Sequence, residues 1–341
     1  MITKTTSVAS ALLTLALLSA ASGQIVYDGF DGPGNGKHIV LIAGDEEYRT
    51  EESMPMLGQV LAKNHGFKCT VIFSIDPETG FVDPNNQENL PGLEALDDAD
   101  LMIIGSRFRN PPAEDMKHID DFVHSGKPIM GLRTATHAFN FGKKTDHPYA
   151  HYDWKSDDEN WTGGFGQTVL GETWAGHHGK HKVEGCRGVI NEKHADHPML
   201  NSVTDVFAES DVYGVNKLTG EETILMFGQV TDSLEPDSKP VEGEQNDPMM
   251  PVVWIKEFTG ENGKTSTVIT NTMGASVDLA NEDLRRLVIN GAFWALGLDV
   301  PEKANVDFVT PFNPSFYTNF KDKDYWINKE IRPEDFALPA N

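Results

Sequence analysis

The chain has 341 residues, with 28 Lys and Arg against 52 Asp and Glu, a formal charge of -24. That length suffices for one large α/β domain with a sizeable apolar core, while so acidic a surface repels phosphate backbones, which argues against nucleic acid as a partner. Cys69 and Cys186 are the only cysteines, too few for a disulfide-stapled scaffold; a bridge between them and a packed free Cys69 thiol both remain open.

In chain order, Lys4, an apolar run over residues 8–18 and the small residues of 19–23 predict a secretory signal peptide over 1–23. The run is too short to span a bilayer, so the expectation is a secreted or periplasmic protein with no membrane partner after cleavage. Residues 24–36 read as a flexible Gly-rich lead. Residues 39–43 are continuously apolar, the pattern of a strand buried on both faces. Met56, Leu57, Val60 and Leu61 then recur at helical spacing, and His65-Gly66 supplies a stop. Strands follow at 71–75, 101–104 and 129–132, with a helix between the last two that begins at Pro111-Pro112 and shows Met116, Ile119, Phe122 and Val123 on one face. This alternation predicts a doubly wound, mostly parallel sheet with helices on both faces.

Residues 142–185 break the rhythm, and so long an irregular stretch is usually functional or disordered. Six histidines and tryptophans between Trp154 and His181 argue against simple disorder. Strands resume at 223–227, 252–258 and 266–270, with an exposed loop at 243–248. Asn281 caps a closing helix that buries Leu284, Leu287, Val288, Ala292 and Leu296 and stops at Gly297. Residues 301–341 read as a tail wrapping the surface.

Ligands of open parallel sheets bind beyond the carboxyl ends of the strands. Three charged loops stand there: Gly44-Asp45-Glu46-Glu47-Tyr48-Arg49, Gly105-Ser106-Arg107-Phe108-Arg109 and Arg133-Thr134-Ala135-Thr136-His137. Asp45 and Glu46 beside Arg107 and Arg133 suit a polyhydroxylated ligand, with Tyr48 alongside, and His137 offers an imidazole to move protons. The turn after residue 132 carries neither Cys nor Ser, which speaks against covalent catalysis. No Gly-rich phosphate fingerprint follows the first strand, so no nucleotide cofactor is expected. A second cluster, Glu172 with Trp174-Ala175-Gly176-His177-His178-Gly179-Lys180-His181, supplies His178 as a proton carrier and Glu172 as an acid, base or orienting group. His177, His178 and His181 allow a divalent transition metal, although their spacing fits neither a zinc-ligand pair nor the two-His-one-Glu helix motif. Trp154, Trp161 and Trp174 are candidates for stacking on sugar faces.

The stretches 37–44 and 100–105, Gly131-Leu132-Arg133-Thr134-Ala135, Gly176-His177, Asp196-His197-Pro198, Asp211-Val212-Tyr213 and the closing 285–297 together resemble the trehalose-utilisation (ThuA-like) family over residues 37–298. The resemblance implies a class I glutamine amidotransferase-like (flavodoxin-like) fold without its catalytic cysteine, a small carbohydrate as ligand, and Asp211 and Tyr213 as further substrate-binding positions. Where many members look like Gly-Ile-His at the elbow, this chain has Gly131-Leu132-Arg133. The expectation is an enzyme acting on a sugar or oxidised (keto) sugar by general acid/base chemistry. The alternatives are a non-catalytic carbohydrate-binding or sensing module and a metal-dependent hydrolase.

Overall fold

The structure, a computed structural model, describes residues 23–142, 146–318 and 321–339. The leader expected over 1–23 therefore lies outside the described residues except for Gly23. Ten strands form one sheet: β1 (Gln24–Tyr27), β2 (His38–Gly44), β3 (Lys68–Phe73), β4 (Leu101–Ser106), β5 (Ile129–Leu132), β6 (Cys186–Ile190), β7 (Phe207–Ala208), β8 (Thr223–Val230), β9 (Met250–Thr259) and β10 (Thr265–Asn271). Their spatial order is β1-β3-β2-β4-β5-β10-β9-β8-β6-β7. Among the described residues the α-helices are α1 (Thr50–His65), α2 (Ala113–Val123), α3 (Glu282–Ala295) and α4 (Lys323–Lys329).

The sheet is mixed rather than mostly parallel. Four neighbouring pairs, β2–β3, β2–β4, β4–β5 and β5–β10, run parallel, and five, involving β1 and β6 to β10, run antiparallel. The physical reason lies in the connections: a parallel crossover needs a dozen or more residues and usually a helix, and α1 and α2 supply two of them. Between β9 and β10 the chain has only Gly260-Glu261-Asn262-Gly263-Lys264, which closes a hairpin, Gly260 N–H donating to Lys264 O at 2.9 Å. Residues 24–27, expected within the lead, instead pair along β3 as an edge strand.

Strand β2 shows how the core is divided. Ile39, Leu41 and Ala43 enter one apolar cluster together with Met54, Leu57 and Leu61 of α1 and Leu284, Leu287 and Val288 of α3. Val40 and Ile42 enter a second with Met116, Ile119 and Phe122 of α2, as the two-residue period of a strand requires. The irregular segment 146–185 covers this second face by burying Tyr152, Trp161, Phe165 and Leu170. Gly131 makes room for it: a Cβ there would come within 2.8 Å of Leu170 Cδ1.

Asn281 caps α3, its side chain accepting from Leu284 N–H at 2.8 Å. Cys69 and Cys186 are buried and free. Beyond residue 301 the chain packs back on the body: Phe336 stacks on Phe73 with ring centroids 5.3 Å apart, and Trp326 is buried beneath the guanidinium of Arg49.

Candidate functional site

The carboxyl ends of β2, β4 and β5 carry the three charged loops, and each contains a non-glycine residue at positive φ: Arg49 (64°), Phe108 (54°) and Arg133 (45°). Each such residue costs on the order of 1–3 kcal/mol and persists where its surroundings over-determine it, often at a functional site. Arg133 occupies the strand-to-helix elbow where hydrolases place a nucleophile. Backbone bonds tie the ends together, Phe108 N–H donating to His137 O at 3.0 Å and Arg109 N–H to Ala138 O at 2.7 Å.

Arg133 is the centre of the buried layer. Its Nη1 donates to the backbone oxygens of Asp211 (2.6 Å) and Thr272 (2.9 Å), its Nη2 to Tyr48 Oη and Asp211 Oδ1, both at 3.0 Å. The guanidinium lies 3.6 Å from the centroid of the Tyr213 ring and 4.6 Å from that of Tyr48. Asp211 in turn faces two imidazoles, Oδ2 meeting His177 Nδ1 at 2.7 Å and Oδ1 meeting His181 Nδ1 at 3.0 Å. Burial alone would raise its pKa, but the Arg133 charge and these two hydrogen bonds hold the carboxyl well below the usual carboxylate range. For His181, burial works against the charged form, and the Asp211 and Glu47 carboxylates overcome it and raise the pKa.

Above this layer opens a cavity of about 270 Å³, lined by Glu47, Arg107, Phe108, His137, Trp154, Trp174, His177, His181 and Tyr213. Larger cavities of about 570 and 610 Å³ lie elsewhere; chemistry rather than size singles out this one, since it alone among them gathers three imidazoles, His137, His177 and His181, over the buried ion network. His137 is buried against Phe108, Trp154, Trp174 and Tyr213, with ring centroids 5.0–6.3 Å away. Burial first, then the nearby Arg107 and Arg133 charges, push its pKa well down, so its imidazole is neutral. Its Nδ1 lies 3.2 Å from Thr136 Oγ1. Arg107 pairs with Glu46 and, at 3.2 Å, with Glu47 Oε2.

Several expected site residues sit elsewhere. His178 turns away from the cavity, its Nε2 lying 2.8 Å from Gln245 O; the backbone bridges to Tyr213 at His177 and bends at His178, which sends the two side chains to different partners. Glu172 is a structural anchor, accepting from the backbone N–H groups of Asn216 (2.6 Å) and Lys217 (2.8 Å). Asp45 is fully buried one layer below, accepting from Glu47 N–H and Tyr48 N–H at 2.8 and 3.0 Å and from the Thr134 hydroxyl. Burial and the neighbouring Glu46 push its pKa up to about 6. Glu46 is likewise buried, held by Arg107 and Arg109. Tyr48, Arg133 and Asp211 support the cavity from beneath, whereas Arg107, Trp174 and Tyr213 line it. Trp161 packs in the core against Tyr152 and Phe258.

Sequence reasoning passed over Glu47, Phe108 and Tyr317. Tyr317 stacks on Tyr48 at 5.0 Å and approaches the His181 ring at 5.5 Å, and Thr318 N–H donates to Glu47 O at 3.1 Å. The first two sat in loops already singled out; nothing in the tail's sequence marked Tyr317.

No family profile matches the chain, and no curated protein does. Among solved structures it is similar to a protein described as ThuA-like from Parabacteroides merdae, with 14% identity over 78% of this chain and 92% of that one and a TM-score of 0.47. A second ThuA-like protein, from Bacteroides uniformis, is similar at 12% identity over 78% and 93% of the two chains, with a TM-score of 0.45.

Proposed function

We propose that the protein acts on a monosaccharide-sized sugar or oxidised sugar unit by general acid/base chemistry, on a flavodoxin-like, doubly wound frame formed by β3-β2-β4-β5-β10. The observation that carries the reading is the composition of the cavity: four aromatic rings, three imidazoles, one carboxylate and one guanidinium share about 270 Å³. Aromatic faces suit the C–H face of a sugar; Arg107 and Glu47 supply fixed donors and acceptors for hydroxyl groups. His137, kept neutral at the floor, accepts a proton from a carbon or hydroxyl next to a carbonyl. The Trp174 indole N–H, buried without a hydrogen-bond partner, is a donor that a ligand oxygen would satisfy.

The test is a panel of monosaccharides, disaccharides and their keto derivatives, with binding followed by calorimetry and conversion by NMR in deuterated water. Binding together with solvent-deuterium incorporation, lost in His137→Ala, is expected. Binding of sugars without turnover would favour the non-catalytic module instead, and no binding across the panel would remove the carbohydrate reading.

A further inference from the structure

We propose that His177 and His181 hold one divalent transition-metal ion through their Nε2 nitrogens, with Glu47 as the third protein ligand and the remaining position open to the cavity. Among the described residues, ligand atoms of His177, His181 and Asp211 all lie within 4.8 Å of one another, which brings the two imidazoles within reach of one ion, and Glu47 Oε1 stands 3.2 Å from His181 Nε2. The site goes beyond the sugar reading and does not depend on which organic molecule the cavity takes.

The argument starts from the tautomer. An imidazole whose Nδ1 donates to a carboxylate carries its lone pair on Nε2, across the ring, and this outer-shell arrangement is what orients and strengthens metal-binding histidines. Both rings meet that condition through the two oxygens of one carboxylate, His177 at 2.7 Å and His181 at 3.0 Å from Asp211. Asp211 is itself immobilised by Arg133. The rings lie side by side, with centroids 4.3 Å apart at 36°, and both line the cavity.

The third ligand follows from what faces His181. Its buried Nε2 stands 3.2 Å from Glu47 Oε1 as an ion pair. An ion would take the place of the proton between these two atoms, with both as ligands. Glu47 is divided in a useful way: Oε2 faces Arg107 at 3.2 Å, and Oε1 is left for the histidine side. Two imidazoles and one carboxylate oxygen suit zinc or a neighbouring first-row ion, and three protein ligands with an open position mark a catalytic rather than a structural site. His178 is excluded because it is bonded to Gln245 outside the cavity.

The test uses tag-free full-length chain stripped with chelator and titrated with Zn²⁺ in a calorimeter and with Co²⁺ in a spectrophotometer, with no sugar present. Wild type and His178→Ala are expected to bind one ion per chain, with visible d–d bands of a four- or five-coordinate ion. His177→Ala, His181→Ala and Glu47→Gln should each lose more affinity than the roughly 10–100-fold that removal of an outer-shell partner costs. Asp211→Asn should fall within that smaller range. Thermal melts of every variant separate lost binding from lost fold. If wild type takes up no stoichiometric ion, or if His177→Ala and His181→Ala bind as wild type does, the site is overturned. A Glu47→Gln variant at wild-type affinity beside an Asp211→Asn variant without affinity would replace Glu47 by Asp211 as ligand and equally refute the assignment. Because no sugar enters the titration, its outcome is separate from that of the carbohydrate panel.

Discussion

The parallel half of the sheet and the segments leading to and from its antiparallel half contribute opposite kinds of chemistry to one cavity. Loops after β2, β4 and β5 bring Glu47, Arg107 and His137, and they bury several charges in compensated sets, such as Glu46 between Arg107 and Arg109. The 172–181 and 211–213 segments bring two imidazoles organised by a single carboxylate, Asp211. The halves meet where Arg133 of the first holds Asp211 of the second. Glu47 also faces His181 across the site, but the Arg133–Asp211 pair is the most buried of these contacts, and the largest effect should come from breaking it. Asp211→Ala leaves the buried Arg133 guanidinium without its carboxylate, and removal of one partner of a buried pair costs about 3–5 kcal/mol. Urea denaturation should show that loss, and the double variant Asp211→Ala/Arg133→Met should recover much of it, since an apolar replacement removes the stranded charge. A single-variant loss below about 1 kcal/mol would mean that the Arg133–Asp211 pair is not what holds the two sides of the site together.

The same contrast explains what the sequence made legible. Strands buried on both faces announce themselves as continuous apolar runs, so β2, β4 and β5, and with them the three charged loops, were readable from residues 39–43, 101–104 and 129–132. The Asn281 cap of α3 was readable for an equally local reason. Strands β6 and β7 were not: Cys186–Ile190 is half-buried and Phe207–Ala208 is two residues long, so neither carries a periodic signal. Composition marked the histidine cluster as functional but could not say which of His177 and His178 enters the cavity. That is decided by the bridge to Tyr213, a contact with no local signature. Glu172 misled because a carboxylate beside histidines looks catalytic, whereas its partners are backbone N–H groups more than forty residues away.

One buried carboxyl from each side, Asp211 and Glu51, titrates in the opposite direction to the other, which gives the next test. Asp211 has cationic and N–H partners on both oxygens and is held down. Glu51, in the parallel half, is buried with one oxygen bonded to Arg49 at 2.7 Å and the other without a partner. Burial, set against the Arg49 charge, pushes its pKa up to about 7 from an ordinary value of 4.5. For a carboxyl raised in the folded state, the folded chain binds more protons than the unfolded one between these two pH values. Stability from this group is therefore full below pH 4.5 and falls as pH rises through 7, by at most about 3 kcal/mol at roughly 1.4 kcal/mol per pH unit. Glu51→Gln cannot ionise. Its melting temperature should fall short of wild type by more at pH 5 than at pH 8, where the difference should narrow or reverse. A difference independent of pH would show that Glu51 is ionised throughout.

The smallest expected effect lies in the tail, which touches both halves through one residue. The Tyr317 ring stacks on Tyr48 of the parallel half, 5.0 Å between centroids at 29°, while its hydroxyl donates to Glu209 O, beside the antiparallel half, at 3.0 Å. Phenylalanine at this position keeps the stack and deletes only the hydrogen bond. A neutral bond of this kind contributes about 0.5–1.5 kcal/mol net, so Tyr317→Phe should destabilise by about 1 kcal/mol in urea and leave the His181 side of the cavity, and hence Zn²⁺ affinity, unchanged. If the ring contact is what positions Tyr48 and His181, Tyr317→Ala should lower Zn²⁺ affinity where Tyr317→Phe does not. Equal affinity in all three chains would make the tail a cover for the fold with no part in shaping the site.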